Sequence, residues 1–476
     1  MPPAPTPRDH QVGVGVGVGV ALSLYVFEAA LAAFAVALYK YYGRLGALSL
    51  RQAALVGAPA LVALLALAYA ARGYVRARGT GRRRFWFTLA ANLIAVTLMF
   101  GTGEVLVRLL SVATPMGPSF AGTLLLPKRW ELQKQRNAGL LRDAPANISY
   151  FVRDTLLGWS VAPARRSKSG LYLSSTEGIR SPRIGISYAA DDRRTTIAAI
   201  GDSFTFGLEG PYEDSWESQL EPLLGSDTRI LNFGIDGYGM DQAYLRYMRD
   251  ARPWHPRLTL FGFIDHDLGR AMSVYTFLTY PNWGIPFSKP RFTLIDGALR
   301  PINFPVLSPE AILEKHAVAD LPFVDRDPGY NPDEWKRHMA QASYLVRYLV
   351  SRFPRWTARS QADWATEEVA VNSEILRAFG RQAAIDGTVP FVIYFPTRGD
   401  FEGLDRTEKD KILAAVSAAG IHNVDLTSCI GRIGPGRAFI PGHQHYSAAG
   451  NGAVAQCLEP LVRHEIQRLS PDHRRD

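Results

Sequence analysis

Three uninterrupted apolar stretches near the start of the chain constrain its fold more than anything after them. A bilayer's hydrocarbon core takes about 20 apolar residues to cross as a helix. The first stretch runs from about Val12 to Tyr39 and contains one acid, Glu28. The second, Gln52 to Ala71, carries no charge. The third begins at Phe85, stays uncharged through Gly103 and continues as an amphipathic tail with Glu104 and Arg108. Uncharged runs of this length read as three transmembrane helices rather than as core helices of a soluble domain. The first does not read as a cleaved leader. It is too long, lacks a strongly basic start, and runs into Lys40 without a small-x-small site.

Charge follows the same division. Residues 1–111 hold 11 Lys/Arg against 3 Asp/Glu, so eight of the nine net positive charges lie there. Six cations (Arg72, Arg76, Arg78, Arg82, Arg83 and Arg84) connect the second stretch to the third. Only Lys40, Arg44 and Arg51 connect the first to the second. The positive-inside rule puts the six-cation connection in the cytoplasm and everything after about Ser111 outside. Basic residues placed between apolar spans serve topology, which excludes a nucleic-acid partner as their explanation. The Val-Gly alternation at 12–20 places Gly15 and Gly19 at a spacing that suits close helix approach or simply faces lipid. Glu28 reads either as a functional intramembrane group or as a snorkelling side chain.

The remaining chain divides at about residue 194. Residues 112–194, rich in Pro, Ser and Arg, read as a connector with a few peripheral strands or turns. From Thr195 onward, short apolar runs alternate with helical patterns. Strands are expected at Thr196–Ile200, Arg229–Phe233, Leu258–Phe263, Pro390–Phe395 and Asn423–Leu426. Helices are expected at Trp216–Leu224, Met240–Arg249, Glu334–Arg352, Ala365–Asp386, Arg406–Ala419 and Ser447–Arg468. That alternation implies an α/β domain over 195–476 with a parallel sheet covered on both faces. A Pro- and aromatic-rich insertion at about 271–331 interrupts it. Such an insertion after a strand's carboxyl end either roofs a site or packs as a surface excursion. Cys429 and Cys457, the only cysteines, fall in the part expected outside, where a disulfide is permitted. Their spacing leaves pairing open. Neither has a partner at metal-ligand spacing, so no metal and no cofactor are expected.

The chemistry concentrates in three segments. In Ile-Ala-Ala-Ile-Gly-Asp-Ser-Phe-Thr-Phe-Gly, residues 197–207, a buried strand ends at Ile200 and the turn puts Ser203 at the strand's carboxyl edge. A serine hydroxyl attacks a carbonyl only when a nearby base takes its proton. Asp202 reads as a turn-shaping residue. Residues 232–242, Asn-Phe-Gly-Ile-Asp-Gly-Tyr-Gly-Met-Asp-Gln, form a second strand entering a glycine-rich turn, where Gly234 lets its N–H approach a substrate oxygen. Near the end, His443-Gln444-His445-Tyr446-Ser447 delivers two imidazoles just before the last helix.

Together these segments resemble the SGNH (GDSL-type) hydrolase superfamily over roughly residues 175–470. The resemblance implies a three-layer flavodoxin-like fold with Ser203 as nucleophile, Gly234 as oxyanion donor and His445 as general base within His-x-Ser-x-x-Gly. Spacing to Ser447 and Gly450 favours His445 over the alternative base, His443. Bacterial members with an N-terminal membrane anchor look similar around Glu177-Gly178-Ile179-Arg180 and Lys289-Pro290-Arg291-Phe292. Two departures stand out. The third block reads Leu-Phe-Gly-Phe-Ile-Asp-His-Asp-Leu, so His266, followed by Asp267, stands where the family's oxyanion Asn is expected. The positions two and three residues before His445, His443 and Gly442, hold no carboxylate. A Ser–His dyad, an acid from elsewhere such as Asp425 or Asp267, and an inactive descendant all remain open. Arg270 reads as an anion ligand or as a salt-bridge partner. The resemblance implies an extracytoplasmic serine O-acyl, and specifically O-acetyl, esterase acting on an acylated glycan or lipid-linked saccharide. The alternatives are an O-acetyltransferase of envelope polysaccharide, an inactive glycan-binding or assembly protein, and an acyl relay served by the three spans.

Overall fold

The structure is a computed structural model that describes residues 22–38, 50–76, 80–147, 150–188, 193–353, 361–403 and 406–469. The chain forms two units: Met1–Gln133 with Asn331–Ser360, and Lys134–Tyr330 with Gln361–Asp476.

Two helices of the first unit, Leu50–Arg76 and Phe85–Leu110, are long and apolar enough to cross a membrane. The sequence suggested three. Of the first stretch, the described part is an apolar helix over Leu22–Leu38, shorter than the other two, and Gly15 and Gly19 lie outside the described residues. Most of the expected six-cation loop is helical. Arg72 and Arg76 close the helix Leu50–Arg76, and Arg82–Arg84 belong to the helix Thr80–Leu110. The segment 334–352, expected as one helix, is helical only at Tyr344–Arg352. Ser343 caps that helix, and Glu104 accepts from Ser343 Oγ at 2.7 Å and from the Leu345 N–H at 2.9 Å. Arg347 donates to the carbonyls of Leu126 and Leu125 at 2.7 and 2.9 Å.

The second unit is built on five strands: β1 Thr195–Ile200, β2 Thr228–Asn232, β3 Leu258–Phe263, β4 Val389–Tyr394 and β5 His422–Asp425. Every pairing is parallel, in the order β2-β1-β3-β4-β5. This is the flavodoxin-like order, whose connections diverge between β1 and β3 and leave a crevice at the carboxyl edge. Successive side chains of the strands enter opposite cores. Ala198, Ile200, Leu231, Phe261 and Val392 face α2 (Met240–Arg246), α3 (Gln361–Asp386) and α4 (Thr407–Ala418). Ile197, Ala199, Ile230, Leu260 and Ile393 face α1 (Trp216–Leu224) and α5 (Ala448–Arg468). Burial on both faces explains why the strands read as continuous apolar runs. Cys429 and Cys457 form a disulfide that joins the helix Thr427–Ile433 to α5.

The insertion after β3 folds as short helices and an antiparallel hairpin, Arg291–Ile295 with Ala298–Ile302. A buried ion pair ties it to α2: Lys289 Nζ lies 2.5 Å from Asp241 Oδ2, with both side chains at most 1% exposed. Burial alone pushes the Asp241 carboxyl up, and the Lys289 ammonium opposes it. Removing the cation therefore strands a buried carboxylate. We expect Lys289→Met to cost about 3–5 kcal/mol of stability, read as a lower midpoint in urea unfolding followed by tryptophan fluorescence.

Candidate active site

Ser203 opens a four-residue helix, Ser203–Phe206, directly beyond the end of β1. Gly201 makes that turn possible, because a Cβ there would lie 2.3 Å from Thr205 Oγ1 and 2.6 Å from the Gly262 carbonyl. Asp202 caps the helix by accepting from the Phe204 N–H at 2.9 Å. Its other oxygen lies 3.3 Å from Ser203 Oγ and accepts from Arg270 at 3.2 Å. Asp202 thus shapes the turn.

The C-terminal loop returns to this edge. His445 Nε2 lies 2.9 Å from Ser203 Oγ, and His445 Nδ1 lies 3.0 Å from Glu209 Oε2. The other carboxylate oxygen, Glu209 Oε1, lies 2.7 Å from His443 Nδ1. An ionised carboxylate only accepts, so each Nδ1 carries the proton it shares with Glu209. That tautomer leaves His445 Nε2 as the acceptor for the serine hydroxyl. His445, not His443, holds the hydrogen bond to Ser203. Burial raises the Glu209 carboxyl, but hydrogen bonds and charge from His445 and His443 outweigh it and hold it below the usual carboxylate range.

Glu209 is the member that sequence reasoning missed. It sits six residues after Ser203 with φ of 68°, left-handed for a residue with a side chain. Arg180 holds that conformation in place. Its buried guanidinium donates to the carbonyls of Phe206, of Gly207 at 2.6 Å and of Gly210 at 2.6 Å. It also lies over the rings of Phe206 and Tyr172 at 4.5 and 5.1 Å. The Tyr172 hydroxyl accepts the Glu209 N–H at 3.0 Å. The signal available in the sequence was a carboxylate between Gly207-Leu208 and Gly210, in the same turn as the nucleophile.

Other expected roles change. Asp425 is not the third member: Lys409 Nζ lies 2.7 Å from one oxygen, and the Thr427 N–H donates to the other at 2.8 Å. Burial raises its carboxyl, but these partners outweigh it and hold it low. Asp267 accepts from the Ile264 N–H at 3.1 Å and from Arg270 at 2.7 Å, so it braces Arg270 instead of the imidazole. Burial, then the neighbouring Asp202 charge, push its carboxyl well above the ordinary range. Arg270 is a salt-bridge partner of these two acids. Gly234 does not offer a free N–H, because Asn232 Oδ1 accepts it at 2.9 Å. A Cβ on Gly234 would lie 2.4 Å from the Phe206 nitrogen, so this glycine lets β2's exit pack beneath the nucleophile turn. At Gly237, with φ of 77°, an added Cβ would meet only side chains, Trp159, Trp283 and Ile285, each at 3.5 Å.

Ser203 and His445 open onto a cavity of about 990 Å³. His266 and Asp236 also line it, as do Tyr280, Trp283, Ile285 and Phe287 from the insertion. The insertion is a wall of the site. Desolvation pushes the Asp236 carboxyl above its usual range, with the Arg270 and His445 charges opposing it. Among the described residues, no cluster of three His, Cys, Asp or Glu side chains is arranged to hold a metal ion.

No protein-family model matches the chain, and no curated protein matches it. Solved structures do. A putative lipolytic protein of the G-D-S-L family from Desulfitobacterium hafniense is 12% identical, covers 57% of this chain and 99% of its own, and superposes with a TM-score of 0.31. A lipase/acylhydrolase from Enterococcus faecalis is 12% identical over 58% and 98%, with a TM-score of 0.32. A carbohydrate acetylesterase family member from Sinorhizobium meliloti is 14% identical over 57% and 99%, with a TM-score of 0.26. Similarity this low assigns neither a reaction nor a substrate.

The two carboxylates that compete for the third role are separable by mutation. Glu209→Gln should lower kcat on a short-chain ester by about 10²–10⁴-fold with KM little changed, because the amide no longer fixes the tautomer or stabilises the imidazolium. Asp425→Asn should stay within about threefold of the parent, as a carboxylate outside the proton path predicts. Steady-state kinetics on both variants checks this pair.

Proposed function

We propose that this chain is a serine ester hydrolase of the SGNH type, anchored in a membrane by its N-terminal helices with the catalytic unit outside the cytoplasm. The observation that carries the reading is the hydrogen-bonded line from Ser203 Oγ through His445 to Glu209, at the edge of a parallel sheet and open to a cavity. Ser203 attacks the ester carbonyl as His445 Nε2 takes the hydroxyl proton, and Glu209 stabilises the imidazolium that forms. The tetrahedral oxyanion is assigned to the backbone N–H of Ser203, with the His266 ring on the cavity wall as a further donor. Each well-aimed donor contributes roughly 3–4 kcal/mol to the transition state. His445 then protonates the leaving alcohol, and water hydrolyses the acyl-enzyme by the reverse sequence. Interception by a sugar hydroxyl instead of water would make the same site an O-acyltransferase. Arg398, Glu402 and Gln444 on the cavity wall favour a hydroxylated alcohol, as in an acylated glycan or lipid-linked saccharide.

Membrane anchoring is supported by the two long apolar helices, whose spanning windows are only 17% and 6% buried, unlike the core helices of a soluble protein. The disulfide between Cys429 and Cys457 suits an oxidising compartment.

A fluorophosphonate should label the full-length chain in detergent, and Ser203→Ala should remove both the label and esterase turnover. Turnover that survives the substitution sinks the mechanism. Topology has its own test. A reporter active only outside the cytoplasm should work when fused near Pro118 and stay silent near Gly79; the reverse pattern overturns the compartment.

A further inference from the structure

The helix Tyr344–Arg352 turns an apolar stripe away from the contacts that hold it. Glu104, on the helix Thr80–Leu110, accepts from its cap Ser343 and from the Leu345 N–H, and a Cβ on Gly103 would lie 3.0 Å from the Leu345 side chain. The Arg108 guanidinium lies 4.5 Å from the Tyr344 ring centroid. Tyr348 meets the Phe120 ring edge-on at 4.9 Å. Arg347 donates to the Leu125 and Leu126 carbonyls, and Ser351 Oγ accepts the Leu126 N–H at 2.8 Å. Those contacts use positions 344, 345, 347, 348 and 351. The other side of the helix holds Val346, Leu349, Val350 and Phe353, spaced i, i+3, i+4 and i+7. All four are apolar, yet Leu349 is 39% exposed and Phe353 59%.

The length of the neighbouring span sets the level at which this helix begins. At about 1.5 Å per residue, the uncharged run from Phe85 to Gly103 is about 28 Å long. A hydrocarbon core is about 30 Å thick, so that run fills it. Glu104 is the first charge beyond the run, and it is the residue that holds the start of the helix. The helix therefore starts where hydrocarbon gives way to headgroups. Tyr344 sits there between two cations, Arg108 and Arg347, the latter 5.0 Å from its ring centroid, and aromatic rings with basic neighbours favour that zone. Val105, Leu106, Leu109 and Leu110 on the last turns of the span are exposed too, so both helices show apolar surface at this level. We propose that Val346, Leu349, Val350 and Phe353 rest in the interfacial layer of the bilayer that the helix Thr80–Leu110 crosses, with the exposed Arg352 beside lipid phosphate. The inference rests on the membrane-anchored reading. The chain leaves the catalytic unit at Tyr330 and re-enters it at Gln361, so this contact ties a second point of that unit's chain to the membrane.

The test places an environment-sensitive fluorophore on single cysteines of the full-length chain in phosphatidylcholine nanodiscs; Cys429 and Cys457 are paired and take no label. Leu98→Cys, in the uncharged run, marks the bilayer, and Ile385→Cys, exposed on the catalytic unit, marks water. Leu349→Cys and Phe353→Cys, made one at a time, report the stripe. A lipid nitroxide at the fifth acyl carbon should quench both stripe labels at least about twofold more than the Ile385 label, and aqueous iodide at least about twofold less. Two positions guard against the loss of either variant to misfolding. Stripe labels that behave like the Ile385 label, while lipid alone quenches the Leu98 label, overturn the inference and leave the anchored reading standing. Stripe labels shielded from lipid and iodide alike also overturn it, since protein then covers the stripe. A Leu98 label quenched by iodide and not by lipid overturns the two readings together.

Discussion

The imidazole of His445 is held at both nitrogens by one loop. Ser203 and Glu209 lie on the same turn after β1, six residues apart, and the ring bridges them from the far end of the chain. The rest of the unit can be understood as what keeps that turn and that ring in register. β1 lies at the centre of the sheet, between β2 and β3, and its carboxyl end is fixed by pairing on both sides. Gly201 turns the chain where a methyl would strike Thr205 and the Gly262 carbonyl. Gly234 allows the exit of β2 to pack against the Thr205–Phe206 backbone. Tyr446, next to the histidine, donates its buried hydroxyl to the Pro396 carbonyl at 2.7 Å and so anchors the returning loop.

Buried cations do much of the remaining positioning. Arg180 gathers carbonyls of the nucleophile turn, and Arg246 donates to Ser160 Oγ at 2.6 Å and to the Gly178 carbonyl at 3.0 Å. Arg291 pairs with Glu367 at 2.7 Å, and Lys289 pairs with Asp241. A buried charge is costly unless nearly all of its donors are used. Each of these side chains therefore specifies the path of the loop it serves, because another path would leave it unpaired. The two segments around Glu177–Arg180 and Lys289–Phe292 touch no part of the cavity wall except through the loops they hold. Their place is in the scaffold.

Much of this was legible in the sequence because the strands are buried on both faces. The five expected strands agree with the observed ones to within one residue, since an apolar run bounded by turn residues admits little choice of end. Ser203 was legible because it directly follows the end of β1, and His445 because its spacing to Ser447 and Gly450 matches the pattern that the sequence resembles. What failed depends on contacts between distant residues. Glu209 gains its place only when His445, 236 positions later, is set against it. The glycine-rich turn holds Gly234, Gly237 and Gly239, and nothing local tells that Gly234 is the one packed against the Thr205–Phe206 backbone. The helix expected over 334–352 is instead a short 3-10 helix at Met339–Ala342 followed by an α-helix at Tyr344–Arg352, which begins afresh at the Ser343 cap.

Placing the acid on the nucleophile's own turn changes how the site tolerates motion. In the pattern that the sequence resembles, acid and base share the C-terminal loop, and that pair meets the nucleophile across a gap. Here Ser203 and Glu209 are fixed relative to each other by Arg180 and by the Glu209 N–H bonded to Tyr172. Only the imidazole crosses between loops. Any displacement of the histidine loop then alters the Ser203 and Glu209 bonds together. His443 limits such displacement. Its ring occupies the second oxygen of the same carboxylate at 2.7 Å, so two imidazoles of one loop are fastened to one side chain of the other. The second histidine thus ties the same carboxylate, and hydrogen bonds and charge from both imidazoles hold that carboxyl below its usual range despite desolvation.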